Sequence, residues 1–214
     1  MANQDVRGLR RTGASATEGI AKQIHLNEFD AQLVAQEMPP YVEMTRLGQG
    51  WSAISVLAVA GLVVRPGTVA AAEIWNGYAA GGPSLIIDRM FWFNLVSTNV
   101  IEGFSGWASV TAAKATPSAG ANVTVRGNSG KAYGGSVVFG LGTTVTDSGW
   151  FPWGNAISKG AGGVVPFGAI TVEVEGRLIV PPQCSLCLHV VSSLVGQTFT
   201  QGASWYERTI TNVA

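Results

Sequence analysis

The stretch from residue 169 to residue 188, AITVEVEGRLIVPPQCSLCL, decides the fold class. In residues 170–175, apolar side chains alternate with Thr or Glu, which is the period of a strand with one buried face. The apolar residues at 186, 188 and 190 repeat this period in a second segment. Pro181 and Pro182 interrupt the pattern between the two, because proline is disfavoured inside a paired strand. The stretch therefore predicts two strands joined by a short turn.

Similar short segments follow one another from Tyr41 to the C-terminus, separated by Gly, Ser, Asn and Pro every ten or so residues. About eight to ten short strands at this spacing predict an all-β sandwich or barrel. We expect strands at 41–46, 51–64, 69–75, 85–96, 103–114, 122–126, 135–146, 169–180, 184–194 and 203–211.

The first forty residues differ from the rest and predict an N-terminal arm, followed by a sandwich domain over 41–214. Arg7, Arg10 and Arg11 lie among small residues, so this segment is either a basic arm that docks on an acidic surface or a disordered terminus. Residues 17–38 form the best helical stretch, in which Phe29 and Leu33 belong to a narrow apolar stripe. Because so short a helix is unstable alone, we expect it to pack on the body or on a neighbouring protein.

The charge balance limits the classes of partner. Thirteen basic and thirteen acidic residues give a net charge of zero, which argues against a basic field for nucleic acid. Eleven of these charges lie in residues 1–46, and fifteen lie in the remaining 168 residues. Charged residues therefore make up about 9% of the body, well below the ~25–35% of an ordinary soluble surface. Either the body hides much of its surface in an assembly, which we favour, or it is a neutral monomer rich in Ser, Thr and Gly.

The N-terminus and the early apolar run carry no targeting signal that we recognise. The start is polar, unlike a signal peptide. Residues 47–64 contain too many Gly, Ser and Gln for a membrane span of ~20 apolar residues. We therefore expect synthesis in the cytoplasm and no membrane partner.

Aromatic residues concentrate in two places. The run Met90 to Phe93 predicts a strand covered on both sides. Trp150, Phe151 and Trp153 fall in a predicted loop between Gly149 and Gly154. Loop aromatics of this kind are typical of a subunit contact, although core packing or a sugar-binding platform also fits.

Side chains suited to catalysis or metal binding are few. Cys184 and Cys187 are three residues apart, so in a strand they point to opposite faces and no second pair completes a zinc site. His189 follows Cys187 on one face, but a catalytic nucleophile is expected beside a cleft. Glu173 and Glu175 share a strand face, where solvent exposure is the simpler interpretation than a glycosidase pair. We therefore predict no enzyme activity, no catalytic residue, no metal and no cofactor.

The body as a whole resembles the jelly rolls of tailed-bacteriophage virion structural proteins. The block from Ala169 to Leu186 is similar to the closing strands of phage jelly rolls and of tumour-necrosis-factor-like trimers, although Gln183 stands where their turn usually has Gly. An arm before a jelly roll makes the chain most like a capsid cement (decoration) protein. The resemblance implies an all-β, jelly-roll-like antiparallel β-sandwich with an N-terminal arm containing a short helix.

The resemblance also implies a function and a location. The chain would be a virion structural protein on the capsid exterior, assembled in the host cytoplasm, that binds the major capsid protein and stabilises the shell against internal pressure. It would form a homotrimer, with no nucleic-acid partner. The predicted contact residues, to capsid or subunit, are Arg7, Arg10, Arg11, Phe29, Leu33, Trp150, Phe151 and Trp153.

Two other functions are weighed against this one. A trimeric tail-fibre or receptor-binding head would use the Trp150–Trp153 segment to contact a host glycan or surface protein. A cupin-like or carbohydrate-active enzyme would need a His-rich metal face, which two histidines in different elements do not supply.

Overall fold

The computed structural model describes residues 42–96, 101–112, 123–159 and 168–210. Residues 1–40, the predicted arm and its helix, lie outside this range. Strands make up 65% of the structure and pair antiparallel, with almost no helix, which confirms the all-β prediction. Its elements are α1 (Val42–Arg46), β1 (Gly50–Ser55), β2 (Val59–Ala60), β3 (Val69–Asn76), β4 (Ser84–Val96), β5 (Ile101–Thr111), β6 (Val123–Gly127), β7 (Val137–Thr144), β8 (Phe151–Lys159), β9 (Ala169–Val180), β10 (Ser185–Ser192) and β11 (Thr198–Arg208).

The strands form two sheets in jelly-roll order. Sheet one runs β6-β1-β11-β4-β9, with β2 also paired to β11, and sheet two runs β7-β3-β10-β5-β8. Without β2, β6 and β7, the eight remaining strands can be counted from one to eight along the chain. In this count sheet one has the order 1-8-3-6, and sheet two, which packs against it, has the order 2-7-4-5. This is the double Greek-key winding of a jelly roll. Strands β6 and β7 extend the two sheets beyond β1 and β3.

One main hydrophobic core fills the space between the sheets. Trp92 and Trp205 are fully buried in it, and β9 alternates buried and exposed residues as predicted. Gly106 in β5 permits close packing of the sheets, because a Cβ there would lie 2.6 Å from the Trp92 ring. The run Met90–Phe93 was expected to be buried on both faces, but only one face is buried. Met90 and Trp92 face the core, whereas Phe93 faces outward.

The predicted strand at 41–46 is wrong, because residues 42–46 form the short helix α1. The helix ends in a glycine motif at Gly48, whose φ of 72° is left-handed. There the amide of Gly48 donates to the carbonyl of Thr45, and the amide of Gln49 donates to that of Met44. These two bonds form a Schellman cap, for which Gly at the position after the helix was the overlooked signal.

Two other predictions about strands need correction. The single strand expected at 51–64 is divided into β1 and the two-residue β2. The loop expected around Trp150–Trp153 is wrong, since Phe151 begins β8. Pro152 is tolerated there because β8 is the edge strand of sheet two, and its pairing with β5 shifts register beside the proline.

Candidate functional site

Exposed aliphatic side chains gather at one end of the sandwich, which we call the apolar end. Here β1, β4 and β10 end and β5 and β11 begin. Val64 is 65% exposed, Ile101 65% and Val195 77%. The exposed aliphatic residues of this end are Val56, Leu57, Val63, Val64, Leu95, Val96, Ile101, Leu194 and Val195.

The segments that carry these side chains contain no charge. Residues 56–64, 93–101 and 193–197 have no Asp, Glu, Lys or Arg in the sequence. Arg65, the next residue after the first segment, is held by Asp147 through two hydrogen bonds of 2.8 and 3.1 Å. Apolar side chains exposed together at one end of a fold are typical of a protein–protein contact.

The two sheets are tied together behind this surface by Gly61 and Leu62. The amide of Gly61 donates to the carbonyl of Gln197, and the amide of Leu62 donates to that of Val190. The amide of Ser192 returns a bond to the carbonyl of Leu62. The exposed valines at 63 and 64 therefore extend from a segment that is anchored to both sheets.

The interior beneath the apolar end is polar. Ser158 donates from its hydroxyl to Asn94 Oδ1 at 3.2 Å, deep between the sheets. Both carboxylate oxygens of Glu102 and both polar atoms of the Gln197 side chain are buried without a hydrogen-bond partner in the described structure. Unpartnered buried polar groups are rare in native proteins, so each requires an explanation. The buried polar residues of this layer, each 3% exposed or less, are Asn94, Glu102, Ser158, Ser192 and Gln197.

The predicted aromatic contact residues occupy three different environments. Trp150 is 4% exposed, packs with Ala70 and Cys187, and donates from its indole to the carbonyl of Gly67 at 2.8 Å. Trp153 is half-buried against the main core. Phe151 is 67% exposed. The structure thus assigns Trp150 to packing within the chain, which removes it from the predicted contact surface, and leaves Phe151 as the accessible member of the group.

Phe151 has an exposed companion on the same edge strand. Ile157, also in β8, is 70% exposed. Among the described residues β8 pairs with β5 alone, so it forms the edge of sheet two. This edge is a second candidate contact surface. The other predicted contact residues, Arg7, Arg10, Arg11, Phe29 and Leu33, lie outside the described residues.

The Cys187–His189 pair is unsuited to nucleophilic catalysis. Burial, reinforced by Glu73, raises the pKa of the Cys187 thiol well above its usual value. Burial also lowers the pKa of His189, whose ring lies against Trp150 with centroids 6.4 Å apart. A reactive cysteine needs a lowered pKa and solvent access, and this thiol has neither.

The two cysteines lie on opposite faces of sheet two, as their spacing predicts. Cys184 packs on the main core, whereas Cys187 belongs to a smaller cluster on the outer face, and both are free thiols. Over the part of the chain that the structure describes, no group of three His, Cys, Asp or Glu side chains could hold a metal ion.

Glu173 and Glu175 do not form a pair of free carboxylates. Arg89 binds Glu173 through contacts of 2.6 and 3.1 Å. Glu175 has a left-handed φ of 52° and precedes Gly176, at a point where β9 bulges opposite the register shift in β4. The ion pair gives the Glu173 carboxylate a structural role, and the bulge accounts for the backbone conformation of Glu175.

Sequence reasoning missed the apolar end. Its signal was the charge-free run at 56–64, which we assigned to the strand predicted at 51–64. What makes the surface is the meeting of several such segments at one end of the fold, and only the topology shows this.

No protein-family model, curated protein or solved structure matches the chain. Within the described ranges, no helix is long and apolar enough to cross a membrane.

Proposed function

We propose that the chain is a virion structural protein, a capsid cement or decoration subunit that binds the major capsid protein on the outside of the shell. The observation that carries this proposal is the apolar end, with nine exposed aliphatic side chains and no charge in the segments that bear them. Burying apolar surface contributes roughly 25 cal/mol per Å². Docking this end on the shell removes these aliphatic side chains from water.

The role would be mechanical and would need no catalytic site. Each subunit adds a modest contact, and attachment at many symmetric positions, together with the arm, raises the total strength through effective concentration. We assign self-association into a trimer to the β8 edge with Phe151 and Ile157. The arm residues Arg7, Arg10 and Arg11 would add a second attachment to the shell.

The alternative proposal is a trimeric tail-fibre or receptor-binding head. Its support is a groove across the outer face of sheet one, lined by Phe91, Phe93, Arg89 and Arg126. Copy number separates the two functions, because a cement subunit occupies hundreds of positions per particle and a fibre head only tens. A quantitative gel of purified particles measures this number directly.

Binding of purified protein to particles stripped of it tests the apolar end. We expect the double variant Val64→Asp and Val195→Asp to lose at least about tenfold in affinity, because two charges would be buried without partners. The matched control is Leu47→Asp, since Leu47 is 52% exposed but lies outside the apolar end. Co-sedimentation of the double variant at wild-type occupancy would remove this end from the interface.

A further inference from the structure

We propose that the groove across the outer face of sheet one binds a linear saccharide that carries a carboxylate group. The groove has a volume of about 430 Å³, in the range of small-ligand sites. This site is separate from the apolar end, and it extends beyond the structural role proposed for the chain.

The groove is built from two parallel rows of side chains that run across the strands. The first row is polar and follows the register from β6 to β9. Arg126 is paired with Ser52, Ser52 with Ser204, Ser204 with Arg89, and Arg89 with Glu173. At about 4.8 Å between strands, the two arginines lie roughly 14 Å apart.

The second row lies two residues further along the strands and is apolar. Ile54 is paired with Gly202, Gly202 with Phe91, and Phe91 with Thr171. Gly202 lets the Phe91 ring pack closely over β11, because a Cβ there would lie 2.7 Å from that ring. Phe93 continues this surface, with its ring centroid 5.7 Å from that of Phe91.

The polar row offers hydroxyl groups between two cations. Ser52 and Ser204 share a hydrogen bond of 2.8 Å, and Ser52 donates to Asn128 at 2.7 Å. Arg89 is neutralised by Glu173. Arg126 is exposed and has no ion-pair partner among the described residues. Its guanidinium is therefore available for a bidentate contact with a carboxylate.

The two rows together select the class of ligand. A pyranose chain has an apolar face for the phenylalanine rings and an edge of hydroxyls that both donate and accept hydrogen bonds. Single-stranded nucleic acid is disfavoured because each phosphate needs its own cation, whereas Glu173 neutralises one of the two arginines. An added peptide strand is disfavoured because the groove lies on a sheet face, where the backbone is already paired. The free guanidinium of Arg126 selects an acidic sugar over a neutral one.

Calorimetric titration of the full chain tests the proposal, with an oligosaccharide of six mannuronate residues as probe. Mannohexaose of the same linkage, in which a hydroxymethyl group replaces each carboxylate, is the matched ligand. We expect the acidic hexamer to bind at least tenfold more tightly than mannohexaose. Arg126→Gln and Phe93→Ala should each weaken binding of the acidic hexamer about tenfold, which corresponds to a loss of about 1.4 kcal/mol in binding free energy. Arg208→Gln, an exposed arginine outside the groove, should bind it within twofold of wild type.

Three outcomes would overturn the proposal. The first is no heat of binding for the acidic hexamer at millimolar concentration. The second is equal affinity for mannohexaose, which would reject the role of the carboxylate. The third is tighter binding of a six-residue thymidine oligonucleotide, which would make the groove a nucleic-acid site. None of these outcomes affects particle binding by the apolar end, so the two proposals fail separately.

Discussion

The two ends of the sandwich are built in opposite ways. At the end where β1 begins and β11 finishes, which we call the polar end, Tyr133 packs edge-on against Trp51 at 4.7 Å between ring centroids. The surface there carries Asn128, Lys131 and Arg208. The apolar end reverses this arrangement, with aliphatic side chains outside and Asn94, Glu102 and Gln197 inside.

The carboxylates at the two ends show the difference most clearly. At the polar end, Glu207 accepts hydrogen bonds from Tyr78 at 2.9 Å, Tyr133 at 2.6 Å and the Trp205 indole at 3.2 Å. Burial and the bond to Glu207 raise the pKa of Tyr133, so its phenol stays protonated and donates. At the apolar end, both oxygens of Glu102 are buried without a donor in the described structure.

The comparison shows that the two ends treat their carboxylates differently. The polar end gives its carboxylate three donors, although Gln49 Oε1 and Trp51 Nε1 are buried there without a partner in the described structure. The apolar end leaves polar atoms unpaired inside and apolar surface uncovered outside. Its construction fits a surface that is covered when the subunit docks on another protein.

Removing the carboxylate of the polar end should have the largest effect on stability. We expect Glu207→Ala to lower the free energy of unfolding by about 2 kcal/mol, because three donors lose a charged acceptor. Urea denaturation followed by tryptophan fluorescence measures this change. Tyr78→Phe, which removes one of the three bonds, should lose no more than about 1 kcal/mol.

The neighbouring surface residue supplies the control for this network. Arg208→Ala should change stability by less than about 0.5 kcal/mol, as expected for an exposed side chain without a special contact. If Glu207→Ala lowered the free energy of unfolding as little as Arg208→Ala, the three hydrogen bonds to Glu207 would contribute nothing to stability. The proposed difference between the carboxylates of the two ends would then be wrong.

Replacing the Glu102 carboxylate of the apolar end by an amide should change stability in the opposite direction. We expect Glu102→Gln to raise the free energy of unfolding by about 1 kcal/mol, because a neutral amide is less costly to bury without partners than a carboxylate. Glu175→Gln is the matched control, since Glu175 is exposed on β9 and should change stability little. A loss of stability in Glu102→Gln would show that this carboxylate has a stabilising partner in the free subunit.

The parts of the fold that follow a local period could be predicted from the sequence. Strand β9 was predicted with the bounds that the structure has, because its alternation of apolar and polar residues spans six positions without a break. Strand β8 was missed because Pro152 and Gly154 are strand breakers in general, and they are tolerated here only by an edge position and a register shift. Those two conditions depend on the neighbouring strand.

The candidate sites could not be predicted for a related reason. Trp150 was assigned to a contact surface from its flanking glycine, but the neighbours that bury it, Ala70 and Cys187, are distant in sequence. The groove depends on the pairing of Arg126 with Ser52 and of Ser204 with Arg89. Such pairings between distant strands leave no local signal in a single sequence.

The turn between β9 and β10 gives the smallest expected effect. Pro182 and Gln183 are the central residues of this turn, closed by a bond from the Cys184 amide to the Pro181 carbonyl at 3.2 Å. Gln183 has a left-handed φ of 64°, which the second central position of a type II turn requires and which favours Gly. Its side chain offsets part of the strain by donating to the Tyr78 carbonyl at 2.7 Å.

Two substitutions at Gln183 separate these contributions. Gln183→Ala loses the side-chain bond and keeps the strain, so we expect it to lower the free energy of unfolding by about 0.5 kcal/mol. Gln183→Gly loses the same bond but relieves the left-handed strain, which costs a non-glycine residue about 1 kcal/mol. Part of that gain is cancelled by the greater freedom of glycine in the unfolded chain. Gly should therefore be the more stable of the two by a few tenths of a kcal/mol in paired urea titrations, and a more stable Ala variant would contradict a strained turn.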